Sequence, residues 1–145
     1  MPKKRIVVDT SILVAYAKEE SHWDRIEAGI GKMQWIAPVA AHFEVGNAIA
    51  KALKGHRGVP KISAAGAQAI LERYAGLSVG LADVDMALAV GIMAEEDMWA
   101  YDAYGLALAF KHDLPLATCD HAMKVHAENI GIEVLHFVPD VRGRL

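Results

Sequence analysis

The sequence predicts an α/β fold: a mainly parallel central sheet of about five strands with helices on both faces. Three observations carry that expectation. Short apolar runs alternate with longer stretches of helical periodicity along all 145 residues. The first run, Ile6-Val7-Val8, lacks the polar alternation of a sheet with one wet face, so it reads as a strand covered on both sides. Two runs end in an acid, Asp9 and Asp120, at the strand ends where open α/β sheets gather ligands.

Composition bounds the rest. One domain over residues 1–145 is expected, large enough to bury a core without metal or disulfide staples. Hydrophobic residues make up 54% and charged residues 23%, which excludes a disordered chain. Net charge is -3, which argues against a general polyanion binder but leaves room for a local basic surface. No apolar run approaches the ~20 residues that span a bilayer. Met1-Pro2-Lys3-Lys4-Arg5 leads straight into a strand and not into a signal peptide, so a cytoplasmic protein is expected. A single cysteine, Cys119, fits a reducing compartment. The high apolar fraction hints that another chain covers part of the surface.

Taken in order, the first strand runs to Val8, and Thr10-Ser11 open a helix through Ile12, Leu13, Val14 and Tyr16. Ser21 reads as the N-cap of a helix carrying Trp23, Ile26 and Ile30. Gln34 to Pro38 is a second strand closed by proline. A helix from Val39 to about Leu53 is polar before Lys51 only at His42, Glu44 and Asn47, so it is expected to be mostly buried or covered by a partner. Lys54 to Lys61 is a turn, and Ser63 starts the next helix. Leu77 to Leu81 is a weak third strand, and Asp83 or Asp85 caps a helix bearing Met86, Leu88, Val90, Ile92 and Met93. A helix starting near Asp102 feeds a fourth strand, Leu114 to Thr118. A helix with Met123, Val125 and Ala127 and a last strand, Ile132 to Leu135, complete the chain.

Four acids are candidates for one site: Asp9, Glu44, Asp102 and Asp120. If the first and fourth strands are neighbours, Asp9 and Asp120 face each other across the carboxyl edge. Asp9, Asp102 and Asp120 also stand at helix starts, where capping by itself favours an acid by about 1 kcal/mol. Glu44 has no such reason. It interrupts an apolar helix interior, and no lysine or arginine lies between Lys32 and Lys51. An unpaired buried carboxylate is costly, so a bound cation is the natural compensation. Clustered carboxylates without nitrogen or sulfur ligands suit magnesium or manganese, which hydrolyse phosphodiesters by activating water and neutralising the leaving oxygen. Thr10, Ser11 and Thr118 either orient the acids or are ordinary strand-end hydroxyls.

Val8-Asp9-Thr10-Ser11, Glu44-x-x-Asn47-Ala48, Tyr101-Asp102-Ala103 with Leu106-Ala107-Leu108-Ala109, and Leu116-Ala117-Thr118-Cys119-Asp120 follow one another in order. Together they resemble the successive motifs of the PIN-domain nucleases, over essentially the whole chain. Length and order further resemble the VapC-type toxins of toxin–antitoxin pairs. The resemblance implies a single PIN-like domain and a magnesium- or manganese-dependent endoribonuclease. It also implies a homodimer, silenced by a small antitoxin protein whose segment enters the active-site groove. Carried over by motif position, Asp9, Glu44, Asp102 and Asp120 are the catalytic and metal-binding acids, with Asn47, Thr10, Ser11 and Thr118 beside them. One departure is visible: the family often places an aromatic one residue beyond Tyr104, where this chain has Gly105.

Lys51, Lys54, His56, Arg57 and Lys61 form a basic stretch without an acid, expected to meet an RNA backbone or an acidic antitoxin segment unless it is a solvated helix end. Arg142 and Arg144 are candidates for a tail contact. His121 and His126 are five apart and do not share a helix face. Cys119 reads as a small packing residue, and Trp23, Trp35 and Trp99 as core or interface.

Two rival readings stay open. An aspartyl-phosphate protein, either a receiver or a phosphatase, also puts acids at strand ends. However, Asp9 is followed by Thr10-Ser11 and not by a second acid two residues on, and the fourth strand carries no lysine. A non-catalytic RNA- or protein-binding module on the same fold uses the acids only as caps.

Overall fold

The computed structural model describes residues 2–139; Arg142 and Arg144 lie outside them. In chain order the elements are β1 (Arg5–Val8), α1 (Thr10–Ala17), α2 (Trp23–Ile30), β2 (Gln34–Pro38), α3 (Val39–Lys54), α4 (Ala64–Ala75), β3 (Val79–Ala82), α5 (Met86–Glu96), α6 (Ala100–His112), β4 (Leu116–Thr118), α7 (His121–Asn129) and β5 (Val134–His136). The strands form one sheet in the order β3-β2-β1-β4-β5, and every pairing is parallel. β1 therefore lies at the centre, as its unbroken β-branched run predicts.

The sheet separates two cores. Ile6 and Val8 point to one face and pack with Ile12, Leu13, Ile26 and Ile30 of α1 and α2. Val7 points to the other and packs with Leu106 of α6, Ile92 of α5, and Leu116. All three β1 residues are fully buried. This is the period-2 alternation of a strand covered on both faces, each such side chain contributing roughly 1.5–3 kcal/mol.

β1 and β4 are neighbours, paired at Val7↔Leu116 and Val8↔Ala117. That pairing brings the residues after each strand, Asp9 and Cys119-Asp120, to the same edge. The remaining side of β1 pairs with β2, whose exit through Pro38 leads directly into α3 and Glu44.

Several local expectations are corrected. Ser21 does not cap α2: the helix begins after His22, which is buried at 1% exposure and makes no side-chain cap bond. A buried aromatic ring that anchors the turn displaces the hydroxyl that sequence preference favours. Asp102 does not start its helix either. α6 begins at Ala100 with Trp99 in the capping position, so Asp102 sits inside the first turn. α3 buries only Ala41, Val45 and Ala52, leaving Phe43 70% exposed. Trp35 is core, whereas Trp99 is 87% exposed. β3, β4 and β5 are each displaced or shortened by one or two residues at an end. The turn after α3 is tight, bridged between His56 and Val59, and Gly55 is required there. Its φ is +66°, and an added Cβ would fall 1.7 Å from the Val59 carbonyl oxygen.

Candidate active site

Four helices begin at the carboxyl edge of the sheet, and each brings one of the acids. Asp9 terminates β1 and caps α1, accepting from the Ile12 amide at 3.2 Å. Asp120 follows β4 and caps α7, accepting from the Ala122 amide at 2.8 Å. Glu44 lies in the second turn of α3, and Asp102 in the first turn of α6. All four line one cleft of about 70 Å³, with Thr10, Ser11, Tyr101 and Met123 among its other walls. Capping and clustering are thus not alternatives for Asp9 and Asp120, because the same carboxylates do both.

Hydroxyls hold these acids in place. Ser11 donates to Asp9 Oδ1 at 2.5 Å, and Thr118 donates to Asp9 Oδ2 at 2.5 Å. Thr118 is fully buried, and its oxygen also accepts from the Asp120 amide at 3.0 Å, so one hydroxyl ties together both strand-end acids. Ser11 accepts in turn from the Cys119 amide at 2.9 Å. Thr10 donates to Glu44 Oε1 at 2.9 Å, linking α1 to α3. Asn47 is exposed, makes no side-chain hydrogen bond among the described residues and does not line the cleft.

The electrostatics follow from crowding and burial. Burial pushes the Asp9 carboxyl up to about 6, against the pull of its three hydrogen bonds, and the charge of Asp102 adds to the rise. Glu44 is raised by burial, reinforced by Asp102 and opposed by its bond from Thr10. Asp102 is raised by burial and by Asp120, with His126 pulling the other way. The charge of Asp102 thus bears on Asp9 and Glu44, and that of Asp120 bears on Asp102. Among the described residues no lysine, arginine or histidine lines the cleft to offset them.

The donor set, four carboxylates with hydroxyls and no soft ligand, fits a hard divalent cation. As the side chains stand, no group of three or more His, Cys, Asp or Glu among the described residues is gathered closely enough to hold an ion. The acids share a cleft, while oxygens of Asp9, Glu44 and Asp120 are turned to hydroxyls and amides of the protein.

Sequence reasoning missed three features around this site. His22 Nε2 lies 3.2 Å from Cys119 Sγ, so α2 buttresses the end of β4. The His22 Nδ1 is buried without a partner among the described residues. Burial lowers the His22 pKa and pushes the Cys119 thiol up to about 12. Glu96 accepts from His126 and Asn129, both at 2.9 Å, joining α5 to α7 behind Asp102. At Gly105 an added Cβ would come 3.3 Å from the Met123 Cε, so any side chain there would need Met123 to give way. Tyr104 turns to Tyr101 instead, with ring centroids 5.9 Å apart. The i, i+3 spacing of Tyr101 and Tyr104 was the available signal.

A five-stranded parallel sheet with helices on both faces and an acid-lined cleft at its carboxyl edge defines a class of α/β domains. The sequence matches the PIN domain family over residues 6–129, and the chain belongs to that family. Its fold is similar to PAE2754 from Pyrobaculum aerophilum, with 22% identity, TM-score 0.66 and 92% of each chain covered. It is also similar to VapBC2 from Rickettsia felis bound to a DNA fragment from their promoter. There the identity is 11% and the TM-score 0.64, over 92% of this chain and 98% of that one. FitAcB from Neisseria gonorrhoeae gives 17% identity and TM-score 0.59, over 90% of this chain and 96% of that one. No curated protein matches the chain.

Proposed function

We propose that this protein is a metal-dependent endoribonuclease acting as the toxin of a toxin–antitoxin pair. PIN domains are generally nucleases, and the fold's likeness to VapBC2 and FitAcB supports the toxin reading. The observation that carries the chemistry is the set of four carboxylates lining one cleft to which, among the described residues, no cationic side chain contributes. Such a cleft costs stability when folded alone, and that cost is recovered only against a positive ligand.

Asp9 and Asp120 would hold the ion, Mg2+ or Mn2+, while Glu44 and Asp102 would complete its donors or position the attacking water. When bound, such a cation would supply an acidified water and neutralise charge on the leaving oxygen. Thr118 keeps both strand-end acids in one register, and Thr10 keeps Glu44 turned toward α1. Asn47 stands one turn beyond Glu44, at the outer margin of the site. Lys51 lies two turns beyond Glu44 on α3, about 10 Å along the axis, and continues through Lys54, Arg57 and Lys61 to form a track for RNA phosphates.

Partners follow from the same surface. α5 carries no charge between Asp85 and Glu95, yet exposes Met86 at 54% and Val90 at 57%, beside Phe110 of α6 at 50%. A helix apolar on all sides is normally covered, and a second copy of the chain is its proposed cover. A small antitoxin protein is the proposed occupant of the acid cleft. Among the described residues no helix is long and apolar enough to cross a membrane. The unpaired Cys119 fits action in the reducing cytoplasm.

The test is RNA cleavage by wild type and Asp9→Asn in magnesium, manganese and chelator, alongside growth on expression with and without the neighbouring gene product. Cation-dependent cleavage lost in Asp9→Asn supports the proposal. Cleavage that persists in chelator or in the variant removes it, as does phosphoryl labelling at Asp9, which marks the aspartyl-phosphate reading. Indifference of stability and RNA binding to any cation marks the non-catalytic module.

A further inference from the structure

One buried polar side chain has no part in the chemistry above. His22 stands at the start of α2, where its carbonyl accepts from the Ile26 amide at 3.3 Å, so the first turn of the helix fixes its ring. Among the described residues its Nδ1 is the one buried side-chain nitrogen or oxygen without a hydrogen-bond partner. A leucine of similar bulk would fill that space without stranding a polar atom, so packing alone does not account for an imidazole there. What the imidazole provides is its second nitrogen. Nε2 lies 3.2 Å from the Sγ of Cys119, which is 97 residues away at the end of β4. The thiol donates to the Ser11 carbonyl at 3.8 Å, which leaves Sγ to accept from Nε2. Burial keeps both partners uncharged, lowering the His22 pKa and pushing the Cys119 thiol up to about 12, so the contact adds no charge beside the acids.

We propose that His22 is a positioning residue: acting through Cys119 and Ser11, it holds the rotation of the Asp9 carboxylate and so sets the affinity of the cleft for its divalent cation. This rests on the metal-dependent nuclease reading and deepens it. Residue 119 holds residue 11 at two points, its amide donating to Ser11 Oγ at 2.9 Å and its thiol to the Ser11 carbonyl. With its oxygen accepting from that amide, the Ser11 hydroxyl directs its single proton to Asp9 Oδ1 at 2.5 Å. A carboxylate oxygen has a second lone pair, so the hydroxyl on one sets where the other points. Thr118 does the same for Oδ2. The two hydroxyls differ in their support. Thr118 is part of β4 and is fixed by the sheet, whereas Ser11 lies in the first turn of α1 and depends on Cys119, one residue past the strand. His22 supplies from α2 the anchor that the sheet no longer gives at that position.

The test is Mn2+ binding, read from the spin-resonance signal of free Mn2+ well below the melting temperature, beside RNA cleavage at limiting and saturating Mn2+. Removing a group that orients a metal ligand lowers affinity about 10–100-fold. His22 acts at two removes, so His22→Leu is expected at the low end, with the Mn2+ Kd raised about tenfold while kcat at saturating Mn2+ and the KM for RNA stay within about twofold. His22→Gln, whose amide nitrogen reaches as far as Nε2, restores the wild-type Kd. Cys119→Ala cuts the same link from the other side and weakens binding by a similar factor, an arm that stands even where His22→Leu fails to fold. In a Ser11→Ala background His22→Leu has no further effect on the Kd, because the connection is already broken. An Mn2+ Kd unchanged in both His22→Leu and Cys119→Ala, whatever their Tm, makes His22 a packing residue and overturns the proposal while the nuclease reading stands. Equal losses with and without Ser11 overturn it as well. If wild type binds no Mn2+ and cuts no RNA, the nuclease reading fails and the positioning role goes with it.

Discussion

Asp9→Asn isolates the electrostatic cost of the cleft. The Asp9 carboxyl rises from 3.8 to about 6 on folding, chiefly because burial disfavours its charged form. An acid with a higher pKa folded than unfolded holds its proton more tightly in the native state. Its contribution is fully present below pH 4 and is lost as pH rises through 6. A shift of about 2 units corresponds to about 3 kcal/mol of destabilisation at neutral pH. Asparagine carries no charge, but it gives up one acceptor oxygen to Ser11 or Thr118, a loss of about 1 kcal/mol. In chelator the variant is therefore expected to be about 2 kcal/mol more stable than wild type at pH 7.5, or about 4–8 °C higher in Tm. At pH 4 the order reverses by about 1 kcal/mol. Thermal melts of both proteins from pH 4 to 8 measure the difference directly. Manganese should close the gap at neutral pH, since binding to the folded wild type adds about 2.7 kcal/mol at one hundred times its Kd. A variant less stable than wild type at every pH, by a constant amount, would refute the reasoning and make Asp9 a cap alone.

Thr118→Val keeps the side-chain volume but removes the donor to Asp9 and the acceptor for the Asp120 amide. Urea denaturation should show a loss of about 1–3 kcal/mol, and the pH-dependent part should move upward with the Asp9 carboxyl. His22 is held below its ordinary 6.5 by burial and so stays neutral in the fold. Its contribution is present above pH 6.5 and lost as pH falls below it, so His22→Leu should flatten the acid side of the stability curve, measured by denaturant melts from pH 7.5 to 5. The Cys119 thiol, pushed to about 12 by burial first and by Asp9 next, should react with a disulfide reagent at pH 8 far more slowly folded than in urea. Equal rates in the two states would contradict its placement.

β1 was legible because both its faces are buried, and a run such as Ile6-Val7-Val8 would leave apolar surface in water on a sheet with one wet face. Asp9, Asp120 and Glu44 were legible for different reasons: two by their place after strands, one by its incongruity in an apolar helix. Their convergence was less so, because β1–β4 pairing joins residues 109 apart and no local pattern encodes it. Sequence preference misplaces the helix starts at Asp102 and Ser21 for one reason. An acid inside a first turn gains from the helix dipole much as a cap does, and a serine one residue early looks like a cap. What decides both is the burial and packing of His22 and the α6 turn, which are tertiary. Trp99 was expected in a core or an interface; its exposure excludes the core, and nothing in its flanks separates a rim from a core. The shielding hydroxyls Thr10, Ser11 and Thr118 were visible as candidates, but which oxygen each would meet depends on how three elements come together.

Asp9 and Asp120 each close a helix while facing the cleft, whereas Glu44 and Asp102 close none. If the proposed nuclease reading holds, a descendant that lost cleavage would still be pressed to keep an oxygen acceptor at 9 and 120, simply to begin α1 and α7. Retention of those two acids is therefore weak testimony for an active enzyme in any sequence of this shape. Positions 44 and 102 have no such second occupation. Drift there is the signature by which a retired copy would give itself away.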